Sequence, residues 1–598
     1  MLCFKPTGKE KRKEMTKRGL LLSILCVCAV VFCGASWVAA QPAKDITEEV
    51  IVGPGSVSLA TKKDIMMSFG ALVRFIPTSE SNWDFGMGDS LKGAGFFNGK
   101  LDSNFFQTHL NEAGAVRKGY IRNEDKLYFN AMPVDRKWSF YAALEFDRPI
   151  DTDTVDNRGG RGDNSNFGLE RLNVSVALPF NTRLHAGWDV WGFDHYDGAS
   201  MVYSDDNAGF WLDGEVGKLT YSLGYFKLMD NSFQSGLESA VVKEEFYADD
   251  DDRDLIAFWA NYQFNEQHKI KFFYGYDRIR AIPVRDFYTV AYVTALDNAD
   301  LTTADALDLV GVSDGTPDVT DPNFPLATGI ANVVSAGTPK VDSHHVAAYY
   351  VGNYGPVELF LEGVYQFGKA ENTGLTHDDM DISAYALAAD LTVELKDWVG
   401  FSVKPHVGVM YTSGDDDPND DKLEGYTGIE NGQRFSNRWG GENTIIGDTN
   451  FLLGTALYGY LPEFYGNGTP VFTGGLQNFA GTGNGRGDNP GMTMLSMGVT
   501  ITPKRFIIYR TNVNNFWWNE DFVVKSFTYP YTVTEIKSGF VGTEWDNELT
   551  VALHKNMFIK GQASFFFPGD VIEDVTEALG AKSDDTASRF AAELIWNF

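Results

Sequence analysis

Eight times along this chain, a run of alternating apolar and polar residues meets a tight polar turn and is answered at once by a second such run. Leu172–Leu178 turns at 179–182 into Leu184–Val190, and Ile256–Phe264 turns at 265–268 into Ile270–Tyr276. Val346–Val351 turns at 353–356 into Val357–Phe367, and Leu549–Leu553 turns at 554–556 into Met557–Phe567. A period of two makes a strand with one apolar and one wet face, and two such runs across a short polar turn make a hairpin. The connections between hairpins are long and rich in Gly, Asp, Asn and Ser, at about 78–118, 148–166, 230–252, 280–343, 413–490 and 568–587. Several structureless loops above roughly 15 residues are rare in a compact domain. Strict alternation of short and long connections predicts an antiparallel meander with turns on one rim and loops on the other. With a first strand at Met67–Phe75 and a last at the C-terminus the expected number is about 18 strands, with 16–20 as the range. An even number puts both chain ends on the short-turn rim.

The last eleven residues show the pattern most cleanly. Phe590, Ala592, Leu594, Trp596 and Phe598 alternate with Arg589, Glu593 and Asn597. In a sandwich that apolar face would cover a core; in a barrel it would face lipid. Aromatic residues fall often at strand ends (Trp138, Phe146, Tyr276, Tyr411, Phe567), as a membrane girdle requires. The opposite faces carry charge and amides, although Leu72, Phe226, Phe273 and Phe360 put apolar groups there too.

The N-terminus supplies the compartment. Seven Lys or Arg precede residue 19, an uncharged run spans Leu20–Phe32, and Val38-Ala39-Ala40 precedes Gln41. This is the layout of a secretory signal peptide over 1–40, and the apolar run is too short for a spanning helix. Residues 41–63 read as a periplasmic N-terminal segment and 64–598 as a single barrel domain with its long loops. Cys3, Cys26, Cys28 and Cys33 all lie before the expected cleavage. Beyond it there is no disulfide scaffold, no thiolate metal site and no covalent haem attachment. Removal of 1–40 leaves 43 Lys and Arg against 79 Asp and Glu, a net charge of −36. That sign disfavours nucleic acid, whose phosphates need Lys and Arg.

The signal segment, the hairpin meander and the terminal Phe598 in step with Trp596, Leu594 and Phe590 together resemble a Gram-negative outer-membrane porin of the type found in anaerobic metal- or sulfate-reducing lineages. A looser similarity is to the 18-stranded alginate-export barrels. The resemblance covers nearly the whole mature chain, as architecture. It implies an all-β, transmembrane up-and-down antiparallel β-barrel with long extracellular loops and short periplasmic turns, in the cell outer membrane. It also implies that Phe590, Leu594, Trp596 and Phe598 are read by the barrel-assembly machinery, that lipid and lipopolysaccharide surround the wall, and that a homotrimer is an assembly to test.

No catalytic, cofactor or metal site is expected. There is no Gly-x-Ser-x-Gly elbow and no His-Glu-x-x-His pair. His344 and His345 are adjacent, so on a strand they point to opposite faces. Asp415-x-Asp417-x-Asn419 begins like a calcium loop, but Asp420 and Tyr426 stand where Gly and Glu are needed. Gly160-Arg161-Gly162-Asp163-Asn164 recurs at 485–489 and reads as turn chemistry. The expected function is passive diffusion of small hydrophilic solutes and ions. The candidate pore-lining residues are Glu145, Arg171, Asp189, Lys271, Glu362, Lys404, His406, Glu548, Lys560, Arg589 and Glu593. A long loop folded inward would narrow the bore, with 280–343 or 413–490 as candidates. The alternatives are a scaffold barrel sheathing a multihaem cytochrome, and a polymer or substrate-specific export channel.

Overall fold

The computed structural model describes residues 57–59, 64–82, 85, 117–149, 168–193, 199, 201–205, 207–229, 252–280, 340–371, 379–417, 420–431, 436–439, 490–525, 533–537, 539–578 and 583–597. The signal-peptide region, the bodies of the loops at 86–116, 281–339 and 440–489, both copies of the Gly-Arg-Gly-Asp-Asn motif and Phe598 lie outside these residues.

Eighteen long strands make one antiparallel sheet. The first nine are β1 (Ile65–Ser81), β2 (Arg117–Pro133), β3 (Trp138–Pro149), β4 (Gly168–Leu178), β5 (Thr182–Trp188), β6 (Ala208–Val216), β7 (Leu219–Met229), β8 (Arg253–Asn265) and β9 (His268–Ile279). The remaining nine are β10 (Lys340–Tyr354), β11 (Val357–Glu371), β12 (Asp379–Val393), β13 (Ser402–Thr412), β14 (Met492–Lys504), β15 (Ile507–Trp518), β16 (Phe540–His554), β17 (Met557–Pro568) and β18 (Ala587–Asn597). Each pairs with the next, and β1 pairs with β18, Val73 opposite Trp596 and Phe75 opposite Leu594. Closure leaves no long sheet edge, which is what lets a sheet sit in lipid with its backbone groups satisfied.

The strands outrun the apolar alternation that signals them. β1 extends to Ser81 and β2 begins at Arg117, because hydrogen-bonded pairing continues where the side chains have turned polar. Part of the segment expected to be periplasmic is described as a short strand. Val57–Leu59 folds back onto β1, Leu59 opposite Met67 and Val57 opposite Phe69. β18 reaches β1 only from Leu72 upward, so the lower edge of β1 would otherwise stand unpaired.

The short turns follow local chemistry. Gly217 and Gly355 take the left-handed conformation (φ 63° and 65°) that closes tight turns at little steric cost. The connection after β12 is instead a single helical turn, α1 (Lys396–Val399), ended by Gly400 at φ 90°.

Alternation sorts the wall into two faces. Phe272, Leu387, Val407, Ile559, Phe590, Leu594 and Trp596 stand exposed on the outer face. Leu72, Phe226, Phe273 and Phe360 point inward and are buried, as their parity requires. Strands of 13–15 residues rise about 35 Å at the tilt of such barrels, enough for an apolar band of about 25 Å.

Two further helices belong to the long connections. α2 (Ser436–Trp439) carries Trp439 into the interior, fully buried. α3 (Asp570–Ala578), within a connection that reads as loop by sequence, buries Val571, Ile572 and Val575.

Candidate functional site

The interior is divided. Over one half of the wall, β6 to β14, two connections fold inward. After β5 the chain continues through Trp191–Gly192 and returns at Tyr203–Asp205, with Trp191 opposite Asp205. After β13 it runs through 413–431, and Glu430–Asn431 pairs in parallel with Tyr203–Ser204. The Ile429 amide donates to the Val202 carbonyl at 2.8 Å, and the Tyr426 hydroxyl to the Met201 carbonyl at 2.7 Å. The two segments are thus one insert, with Phe193, Tyr203, Tyr426 and Trp439 buried within it. Burial of each such side chain stabilises the arrangement by about 1.5–3 kcal/mol.

Polar groups tie the insert to the wall. Lys271 donates to the carbonyls of Phe193 (2.7 Å) and Gly192 (3.1 Å) and lies 4.2 Å over the Trp259 ring. The Ala199 amide donates to Glu362 at 2.8 Å. The Trp439 indole donates to Asp390 at 2.9 Å, and His406 also meets that carboxylate at 2.9 Å. Asn512 and Asn514 both donate to the Trp439 carbonyl. Such charge-assisted bonds are the strong ones where water is excluded.

The other half carries a belt of alternating charge across seven neighbouring strands, β16 to β4. Glu548 faces Lys560 at 3.7 Å, and Lys560 stands opposite Glu593 in the register of β17 and β18. Arg74 joins Glu593 (2.9 Å) to Glu124 (2.6 Å). Lys126 joins Glu145 (2.9 Å) to Glu170 (2.6 Å), and Arg171 meets Glu170 at 3.2 Å.

All eleven candidates project from the inner face, in two different settings. Glu145, Arg171, Glu548, Lys560 and Glu593 lie in the belt, and Arg589 is buried four residues before Glu593 on the same face of β18. Lys271, Glu362 and His406 hold the insert instead. Asp189 accepts from Asn173 at 3.1 Å, and Lys404 stands exposed near the short-turn rim.

Sequence reasoning missed Arg74, Glu124, Lys126 and Glu170. The signal was there: Glu124, Lys126 and Tyr128 keep the period of two. Asn123 and Asp125 break the apolar alternation between them, so pattern alone starts this strand only near Leu127. It also missed the first inward segment; its cue was Trp191, Phe193, Met201 and Tyr203, an aromatic-rich stretch in a connection. Of the two loops expected to fold inward, 413–431 and 436–439 do so, while 281–339 lies outside the described residues.

Two histidines separate as adjacent strand residues must. His344 faces outward, stacked 4.8 Å from Tyr276 and 5.1 Å from Phe367. His345 is buried inside against the Thr427 carbonyl at 3.0 Å, a structural contact. Among the described residues no three His, Cys, Asp or Glu are grouped to hold a metal ion.

In the connections after β13 and β15 two carboxyls share an acidic neighbour. Glu424 and Glu520 are both held above the ordinary glutamate value, first by desolvation and then by the nearby Asp416. Lys422 partly offsets this at Glu424.

No family model matches the chain, and no curated protein matches it. Among solved structures it is similar to OccK5 (OpdH) of Pseudomonas aeruginosa at 9% identity and a TM-score of 0.40, covering 89% of this chain and 98% of that one. It is similar to a BenF-like porin from Pseudomonas fluorescens Pf-5 at 10% identity and a TM-score of 0.43, with the same coverage. OccAB2 of Acinetobacter baumannii is similar at 10% identity and a TM-score of 0.41, again covering 89% and 98%.

Proposed function

We propose that this chain is an outer-membrane channel through which small hydrophilic solutes and ions diffuse passively. The observation that carries the reading is the charge belt from Glu548 to Arg171 on the inner face of a closed barrel whose outer face is apolar. Charges along the wall of a narrow water path set the local field, and bore and charge together set selectivity. The belt alternates in sign, so it selects mildly. The acids around Asp416 add a cation bias beside the long-loop rim.

The insert supplies the constriction. It occupies the β6–β14 half, so the path runs along β16–β4. A sheath for a cytochrome would need that space empty, and Phe193, Tyr203, Tyr426 and Trp439 fill it. Lipid and lipopolysaccharide around the wall, export through a cleaved 1–40 segment and assembly through the terminal strand belong to the same reading.

Single-channel recording in planar bilayers tests it. The expected result is discrete, ohmic insertion steps with weak cation preference. Absence of conductance from correctly folded protein, or strong anion preference, would overturn it.

A further inference from the structure

Trp439 is held to the wall by side chains from separate strands. Asp390 on β12, His406 on β13 and Asn512 on β15 form one hydrogen-bonded row in contact with it. His406 and Asn512 have β14 between them. They meet because Gly498 of β14 stands opposite both in the register. A Cβ at that position would collide with the Asn512 amide oxygen and with His406 Nε2. Gly408 clears a second approach in the same way. A Cβ there would collide with the Trp439 indole nitrogen and with Asp390 Oδ2.

The row fixes where its hydrogens lie. The Trp439 carbonyl can only accept, and it takes one donor from Asn512 (2.6 Å) and one from Asn514 (2.7 Å). The Asn512 nitrogen also points at Ser496 Oγ (2.8 Å) and Asn514 Oδ1 (2.6 Å). The Asn512 oxygen is therefore the atom turned to His406 Nε2, at 2.5 Å, and it too can only accept. On the other side His406 Nδ1 meets Asp390 Oδ2 at 2.9 Å, and that oxygen also accepts from the Trp439 indole. One imidazole thus stands between two acceptors, and both ring nitrogens need a hydrogen.

Charge balance asks for the same proton. Arg438 lies 3.7 Å from Asp390 and 3.3 Å from Glu358. With an imidazolium, Glu358, Arg438, Asp390 and His406 set two negative charges against two positive ones. Without it the group carries one negative charge in excess beside the buried Asp390, which is costly. Among the described residues four more ionisable groups neighbour the row. Lys404 and Arg510 stand two residues nearer the short turns on the inner faces of β13 and β15. Asp546 and Glu548 on β16 stand opposite Asn512 and Arg510. Ser496, Gly498 and Thr500 of β14 do not titrate.

We propose that the Asp390–His406–Asn512 row is a proton-operated latch that holds Trp439, and with it α2, against the wall and so sets the width of the bore. Loss of the proton leaves His406 one hydrogen for two acceptors. With that hydrogen kept by Asp390, Asn512 turns its amide to offer Nε2 a donor. The turned amide takes that donor from the Trp439 carbonyl. The latched arrangement therefore binds one proton more than the released one, so falling pH favours latching and rising pH favours release. The inference rests on the reading of the insert as the constriction and adds what moves it.

Two readouts on folded full-length chain test it, with heat-modifiable gel mobility confirming the barrel. Single-channel conductance is expected to rise severalfold between about pH 5 and about pH 8, the range in which histidines change charge. His406→Gln and Gly498→Ala should each hold the wide level at both ends of that range. The second readout needs no conduction. Ala388 is buried two residues from Asp390 and belongs to the same apolar cluster as Trp439. The sequence has no cysteine after Cys33, so in Ala388→Cys the barrel offers a thiol reagent that site alone. Its labelling, taken relative to Asn353→Cys in an exposed short turn, should rise with pH and lose that dependence when His406→Gln is added. A labelling ratio independent of pH would overturn the latch, as would a pH response that survives His406→Gln. Responsive labelling with a conductance independent of pH would overturn its control of the bore. Responsive labelling in a chain that does not conduct would uphold the latch and overturn the channel reading.

Discussion

Arg253 and Asp277 face each other inside the barrel in a two-pronged ion pair, 3.0 and 2.7 Å, and both are almost wholly buried. The same guanidinium donates to the Ile429 carbonyl at 2.7 Å. One arginine thus joins β8, β9 and the inward segment.

That junction predicts an asymmetric outcome. Asp277→Asn leaves a buried cation poorly paired and is expected to cost about 3–5 kcal/mol, the usual loss on breaking such a pair from one side. Replacing both residues, Arg253→Met with Asp277→Leu, should recover much of that loss while freeing the insert. Denaturant unfolding reads the first effect, and a larger, noisier single-channel conductance reads the second. Unchanged conductance in the double variant would detach the insert from the bore.

The belt predicts selectivity. Glu593→Gln removes one of the carboxylates paired with Arg74 and adds net positive charge to the path. The reversal potential under a salt gradient should move toward anions, and Arg74→Gln should move it toward cations. Shifts of the same sign from both would show that the path avoids the belt.

The acids at the mouth predict a pH dependence, with its sign set by the raised values of Glu424 and Glu520. A carboxyl held above its unfolded value takes up protons more readily when folded. Its protonation favours the folded arrangement as pH falls, and that contribution is lost as pH rises from about 4.5 through the raised value. Cation bias should therefore weaken on acidification before ordinary glutamates titrate. Glu424→Gln with Glu520→Gln should flatten this part of the profile, and an unaltered profile would place the sensing groups elsewhere.

The terminal strand predicts an assembly phenotype. Phe590, Leu594 and Trp596 present 47%, 45% and 45% of their surface outward, away from the belt. Deleting Phe598 should lower the yield of heat-modifiable barrel in the membrane several-fold and leave the conductance of assembled molecules unchanged. Normal insertion would remove its role as an assembly signal.

The sequence by itself determined the wall. Period-two runs, alternating short and long connections and an even strand number are local properties of the chain, and each strand's outward face follows from parity alone. Leu72, Phe226, Phe273 and Phe360 could be placed inside on that basis. What fills the interior was not legible, because nothing local says where a connection goes once it leaves the sheet. Only tertiary structure brought Ile429 to Val202 and Trp439 to Asp390, across 227 and 49 residues. It decided likewise that Lys271, Glu362 and His406, polar by parity like the belt, hold an insert instead of standing along the path. The polar outward groups on β2 had the opposite fate: Asn123 and Asp125 hid the first part of that strand from pattern reading, and closure of the barrel then set them on the outer wall.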